Sequence, residues 1–358
     1  MTLVLALCAA AAPQARVTAI VADRVVTVTG GIVENGVILI KNGKIEKIAP
    51  RLTPPPGAEI VEAGTLAAYP GMILARTRIG LSAGQGSVVE TLWPYDGRYD
   101  RIRACGFTAL GLVPAGGDLV SGLGAVARPL ARAKDEIVLG KSDFLCMNFS
   151  AAQARALPGL LRPEGQGPLA LAVQGRIPAL ITAGDATSTL WLVRILAEHR
   201  NLRRYIAPEG DVVNALPVLC QGKVPCLVRA KLELRPVTLF EHNVAAQLAR
   251  AGAPVCLEPA ADSVAAVEAF RFDVARLIAS GLPEEAALRA VTINPAAALG
   301  IDWRIGSLEP GKDADVVLVD GELLDPRACI RAVYIAGEKV YACEPAETGG
   351  AAGAAEEK

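Results

Sequence analysis

The sequence predicts an α/β protein in which a core of alternating strands and helices is flanked by strand-only segments at both ends. Between residues 69 and 300, short apolar runs alternate with helical stretches, the pattern of parallel βαβ units. Residues 17–48 and 314–341 instead carry short β-branched runs separated by Gly-containing turns. The length, 358 residues, exceeds one small domain and suits a large core with a satellite.

The elements follow in order. An apolar run through Cys8, then Ala9-Ala10-Ala11-Ala12-Pro13-Gln14-Ala15, reads as a secretory signal peptide over residues 1–15 and predicts a secreted, periplasmic or cell-envelope protein. No Lys or Arg precedes the run, which leaves a cytoplasmic location as the alternative. No other segment approaches the roughly 20 apolar residues that span a bilayer. Val25-Val26-Thr27-Val28 and Val37-Ile38-Leu39-Ile40 read as strands, with turns at Gly30-Gly31 and Asn35-Gly36. Asn42-Gly43 between apolar runs predicts a tight hairpin into Lys44-Ile45-Glu46-Lys47-Ile48. Pro54-Pro55-Pro56-Gly57 precedes one further strand at 59–62.

In the core, strands are predicted at 72–79, 107–113, 179–182, 204–207, 226–228 and 255–257, and helices at 189–198, 240–251, 263–280 and 284–299. The last helix opens Leu282-Pro283-Glu284-Glu285, with Pro at its start and acids in its first turn. Residues 116–174 resist assignment. Beyond Trp303, strands return at 314–319, 332–335 and 339–341, with a hairpin at Ile335-Ala336-Gly337-Glu338-Lys339. Residues 344–358, mostly Ala, Gly and Glu, have little to bury and predict a disordered tail.

Composition narrows the function. Lys plus Arg is 36 and Asp plus Glu is 37, a balance that argues against nucleic acid or an anionic membrane surface as partner. The eight cysteines form no C-x-x-C; several sit in apolar runs and read as buried thiols, with a Cys220–Cys226 disulfide as the alternative. The two histidines, His199 and His242, lie on predicted helices without a partner at ligand spacing, and read as structural or solvated.

Particular motifs carry a resemblance. The opening hairpin Gly36-Val37-Ile38-Leu39-Ile40-Lys41-Asn42-Gly43-Lys44-Ile45, the stretch Pro70-Gly71-Met72-Ile73-Leu74-Ala75-Arg76-Thr77-Arg78, the helix Ala290-Val291-Thr292-Ile293-Asn294-Pro295-Ala296-Ala297-Ala298-Leu299-Gly300, and above all Ile305-Gly306-Ser307-Leu308-Glu309-Pro310-Gly311-Lys312-Asp313-Ala314-Asp315 resemble the amidohydrolase superfamily, in its imidazolonepropionase-like, secreted branch. The resemblance implies a (β/α)8 TIM-like barrel, abridged if fewer than eight strands survive, over residues 69–302. It also implies a small β-sandwich built from residues 16–68 and 303–343. In such barrels the site lies at the C-terminal ends of the strands, and the family binds one or two divalent metals there, usually zinc, to hydrolyse non-peptide C–N bonds.

The family's ligand positions are altered in this chain. Where the first barrel strand would carry His-x-His stand Arg76, Thr77 and Arg78, and the preceding Asp position is Leu74. Arginine has no lone pair to give a metal. The fifth strand offers only Asp185, and the eighth offers Glu258 with Asp262 just beyond, the latter also suited to cap the helix after it. The resemblance with these losses implies a homologue that has lost metal-dependent hydrolysis, with no zinc or other cofactor bound. Arg76 and Arg78, two residues apart on one strand face, would then bind a small anion, or pair with Asp185, Glu209 or Glu258 and so neutralise a vacated pocket. The alternative is an active hydrolase with an atypical metal or metal-free centre using Glu258, Asp262 or Asp185. The ligand and the oligomeric state, homo-oligomer included, stay open.

Overall fold

The computed structural model describes residues 16–82, 87–140, 143–234 and 238–343; the expected leader and tail lie outside them. β1 (Val17–Val26), β2 (Ile32–Lys41) and β3 (Lys44–Pro50) form an antiparallel meander, and β4 (Glu59–Pro70) returns parallel to β1. Asn42-Gly43 is the two-residue turn expected, both residues at positive φ. Asn35-Gly36 is not a turn: β2 passes through it in unbroken register with β1. Glycine serves close packing there, because a Cβ on Gly36 would lie 2.6 Å from a Val25 methyl.

From β4 only Gly71 separates the first barrel strand, β5 (Met72–Thr77). Helices α1 (Val88–Thr91) and α2 (Arg98–Ala104) lead to β6 (Phe107–Leu112). Then come β7 (Val120–Ala127), α3 (Lys134–Ile137) and β8 (Phe144–Phe149). Two short helices, α4 (Leu157–Leu160) and α5 (Pro168–Val173), precede β9 (Ala179–Ala183), α6 (Ala186–Leu196), β10 (Arg204–Pro208), α7 (Val212–Gln221) and β11 (Cys226–Arg229). A two-strand excursion, β12 (Glu233–Leu234) and β13 (Glu241–His242), and α8 (Val244–Arg250) lead to β14 (Val255–Glu258).

These strands form an eight-stranded sheet, β14-β11-β10-β9-β8-β7-β6-β5. All run parallel except β7, which is antiparallel to both neighbours. The sheet wraps into a nearly closed TIM-like barrel; β14 packs beside β5, but no ladder joins them among the described residues. Its interior is filled by side chains such as Ile73, Ala109, Phe144, Cys146 and Leu180. The six core strands expected from the sequence are all present. The two missed ones, β7 and β8, fall in the stretch that resisted assignment.

The chain closes with α9 (Val264–Ala279), α10 (Glu284–Val291), α11 (Ile293–Ala298) and three strands, β15 (Val316–Val319), β16 (Ile330–Ile335) and β17 (Glu338–Ala342). The single helix expected at 284–299 is broken at Thr292, whose φ of −126° and ψ of −87° leave the helical region. The last strands join the first four in one seven-stranded sheet, β17-β16-β15-β4-β1-β2-β3. That sheet curls so that Ile20, Ile38 and Ile40 share a core with Val316, Leu318 and Tyr334. Where its ends meet, a Cβ on Gly337 would lie 2.8 Å from an Ile40 methyl, so the hairpin from β16 to β17 packs on the Asn42-Gly43 turn.

A buried charge cluster fastens this sheet to the N-terminal end of the barrel. Arg128, just past β7, donates to Asp313 Oδ2 at 2.6 Å and lies 3.5 Å from Asp315 Oδ1. Arg304 Nε and Lys44 Nζ also hold Asp313, at 2.6 and 3.0 Å. Asp315 accepts from the Ala336 backbone N–H at 2.8 Å. Burial alone would raise the Asp313 carboxyl, but Arg304, Arg128 and Lys44 hold it below its ordinary value; burial wins at Asp315, whose carboxyl is pushed up.

Replacing Arg128 with Leu is expected to cost roughly 3–5 kcal/mol at neutral pH, because it strands buried carboxylates. A depressed carboxyl stabilises the fold above its unfolded pKa and loses that contribution as pH falls, while a raised one costs stability only when ionised. The gap between parent and variant urea midpoints should therefore narrow from pH 7 to about pH 4. A gap that does not change with pH would show that the cluster is not its source.

Candidate functional site

The barrel's C-terminal mouth is organised by Arg76, the penultimate residue of β5. Its side chain is 20% exposed and reaches across to β14. Nε donates to Glu258 Oε1 at 3.1 Å and Nη2 to Glu258 Oε2 at 2.9 Å, a two-pronged pair on one carboxylate. Nη1 donates to Thr182 Oγ1, at the end of β9, at 3.0 Å. Nη1 and Nη2 both reach Glu209 Oε1, just past β10, at 3.4 Å. A guanidinium has five N–H donors, and these five contacts engage all of them. Glu258's charge raises the Arg76 pKa against the opposing effect of burial, so the cation is permanent.

The next residues fix the strand's end. Thr77 Oγ1 donates to Asp262 Oδ1 at 2.5 Å and accepts from the Ile79 N–H at 3.0 Å; the Arg78 backbone N–H donates to Asp262 Oδ2 at 2.8 Å. β5 therefore stops at Thr77, and Arg78 is exposed on the rim. Arg78 thus lies one residue beyond the strand, where its alternation no longer applies, yet it lines the same cavity as Arg76.

The other predicted residues divide. Glu258 and Glu209 stand in the site as counter-charges to Arg76. Asp185 does not: it caps α6, accepting from Ser188 N at 2.7 Å. Asp262 is not the cap of α9, which is Ser263. His199 lies beyond the end of α6. His242 is on β13 rather than in a helix, paired with Glu233, and its Nδ1 lies 3.5 Å from Gln247 Nε2. Sequence reasoning passed over Thr182 and Arg229. Arg229, last residue of β11, donates from Nη1 to Ala260 O at 2.9 Å, and its Nη2 lies 3.7 Å from Glu209. The available signal was position, since each stands at the C-terminal end of an apolar barrel strand.

Two cavities adjoin here. One, of about 220 Å³, is lined by Leu74, Arg78, Val113, Asp262 and Val267 among others. The second, of about 230 Å³, is lined by Pro208, Val212, Lys231, Glu233 and Val244 among others. Arg76, Glu209, Arg229 and Glu258 line both, so the ion-paired groups form the wall between them. Cysteine chemistry is not prepared: burial pushes the Cys146 thiol up to about 12, and raises those of Cys226 and Cys256 as well. Cys220 and Cys226 stand as separate thiols.

The amidohydrolase family model matches residues 259–340. Over 63 residues, 18% of this chain, the sequence is 46% identical to N-acetylglucosamine-6-phosphate deacetylase of Danio rerio, and this covers 14% of that protein. Over 63 residues it is also 44% identical to adenine deaminase 2 of Jannaschia sp. (strain CCS1), covering 18% of this chain and 10% of that protein. The chain thus matches well under a fifth of the length of these curated relatives. In fold it is similar to an amidohydrolase from Thermotoga maritima MSB8, with a TM-score of 0.75, 24% identity, and coverage of 91% of this chain and 100% of that one. A prolidase crystallised with N-methylphosphonate-L-proline follows at a TM-score of 0.63, 14% identity, and coverage of 92% and 100%. The barrel and the composite sheet are similar in fold to these solved structures, and the C-terminal segment matches the amidohydrolase family model.

The fold family implies a divalent metal at this mouth, and the residues present do not fit one. Arg76 fills the space between the strand ends with a permanent cation, and both oxygens of Glu258 are committed to it. Among the described residues no three His, Cys, Asp or Glu side chains converge in a way that could hold a metal ion. Replacing Arg76 with Met leaves Glu258 buried without a counter-charge and is expected to cost roughly 3–5 kcal/mol in denaturant unfolding. Adding Glu258→Leu should recover a large part of that loss, as a double-mutant cycle would measure. Additive losses would mean that the pair is not coupled.

Proposed function

We propose that this protein is an amidohydrolase-fold chain that has lost metal-dependent C–N bond hydrolysis and works by binding rather than turnover. One observation carries the reading: all five N–H groups of Arg76 are engaged at the centre of the mouth, two of them on the buried Glu258. A carboxylate clamped in that way is a poor metal ligand and a poor base for activating water, because each of its oxygens already accepts from a cation that does not deprotonate. Arg76 thus acts as an internal plug, and its charge is neutralised within the protein rather than offered to a ligand.

The purified chain is expected to carry no stoichiometric zinc, iron or manganese by elemental analysis, before or after dialysis against zinc. It should not deacetylate N-acetylglucosamine 6-phosphate or deaminate adenine above the buffer rate. About one metal ion per chain, together with hydrolysis that a chelator abolishes, would overturn the proposal.

A further inference from the structure

The 220 Å³ cavity holds an imbalance of hydrogen-bonding groups that points to a ligand class. The carboxylates on its wall are largely satisfied from within. Both oxygens of Glu258 accept from Arg76, both oxygens of Asp262 accept from Thr77 and the Arg78 backbone, and Oε1 of Glu209 accepts from Arg76. The donors are not satisfied in the same way. Arg78 lines the cavity, and its side chain has no hydrogen-bond or ion-pair partner among the described residues. Arg229 lines it too, with Nη1 on a backbone carbonyl and Nη2 only loosely near Glu209. Two arginines from strand ends on either side of β14 therefore line one small space with donors to spare. The rest of the wall is apolar, with Leu74, Val113, Pro259, Ala261 and Val267.

We infer that this cavity binds a small organic carboxylate with a short aliphatic body, its oxygens on Arg78 and Arg229 and its hydrocarbon against Leu74, Val113 and Val267. Guanidinium forks match carboxylate geometry, and the apolar wall selects against a bare inorganic anion. The volume suits a small hydrocarbon body, since a cavity of about 150 Å³ already holds benzene. The assignment rests on the preceding reading in one respect, that Arg76 is a fixed plug, so the ligand sits beside it rather than on it. No bond is made or broken.

The test titrates the full chain with isovalerate, with its isosteric amide isovaleramide, and with inorganic phosphate, by calorimetry or ligand-observed NMR. Isovalerate should bind saturably, with the amide about tenfold weaker or more, since a charged hydrogen-bonded contact is lost. Arg78→Gln and Arg229→Gln should each weaken isovalerate about tenfold while leaving the thermal midpoint near that of the parent, because neither side chain is buried. Equal binding of acid and amide, unchanged affinity in Arg78→Gln, no saturable binding of isovalerate, or phosphate binding more tightly than isovalerate would each overturn the assignment. Metal content with turnover would sink the non-catalytic reading while leaving the carboxylate site standing. A metal-free, inactive protein that ignores isovalerate would do the reverse.

Discussion

The ion pair between Arg76 and Glu258 bridges the place where the barrel is weakest. β5 and β14 are the two ends of the eight-stranded sheet, and no backbone ladder joins them among the described residues. A barrel seam left in that state would expose unpaired edges. Here the side chains span it: Arg76 on β5 clasps Glu258 on β14, and one turn further on, Thr77 and the Arg78 backbone clasp Asp262. All four groups lie at the strands' C-terminal ends, so the mouth is fixed by charge-assisted contacts where hydrogen-bonded pairing is absent. A buried pair of this kind is weak evidence of net stabilisation, since desolvation offsets its attraction. Its stronger effect is on geometry, because a two-pronged guanidinium–carboxylate contact admits one orientation.

The opposite end of the barrel shows the same logic in a different setting. Arg128 sits at the foot of the antiparallel strand and joins Asp313 and Asp315, which come from the segment leading into β15. The composite sheet is thus attached through a short covalent step, Gly71, through an apolar core that Val317 and Ile330 share with Met72 and Phe107, and through a buried charge cluster in which Arg128 Nε and Asp315 Oδ2 are left without a hydrogen-bond partner. Two charge clusters, one at each end, hold parts that no strand ladder connects among the described residues.

How far the sequence could be read follows from burial. The parallel strands β5, β6, β9, β10, β11 and β14 are nearly continuous apolar runs because both faces are covered, and such runs are visible without knowing the fold. β7 is not of that kind. Its first half is only partly buried, and the strand contains Gly122 and Gly124. A Cβ at Gly124 would lie 2.3 Å from the Phe144 ring, so packing against β8 requires a residue that, in sequence, signals a break. Asn35-Gly36 misled in the same way, as a turn signal used for close approach. The two hairpins at Asn42-Gly43 and Ala336-Gly337 were legible because there the turn chemistry and the positive φ coincide.

The site was legible in its residue types but not in its partnerships. That Arg76 replaces a metal-binding position can be read from the motif, whereas the end of the strand at Thr77 depends on Asp262, 185 residues away in sequence. This one tertiary contact separates the two arginines that spacing alone would place side by side. It turns Arg76 inward, to be consumed by Glu258, and leaves Arg78 at the rim. The same contact explains why the mouth tolerates arginine at its centre. Carboxylates that converge without a cation repel one another and cost desolvation. A guanidinium at the end of β5 supplies one positive charge and enough donors for three strand ends.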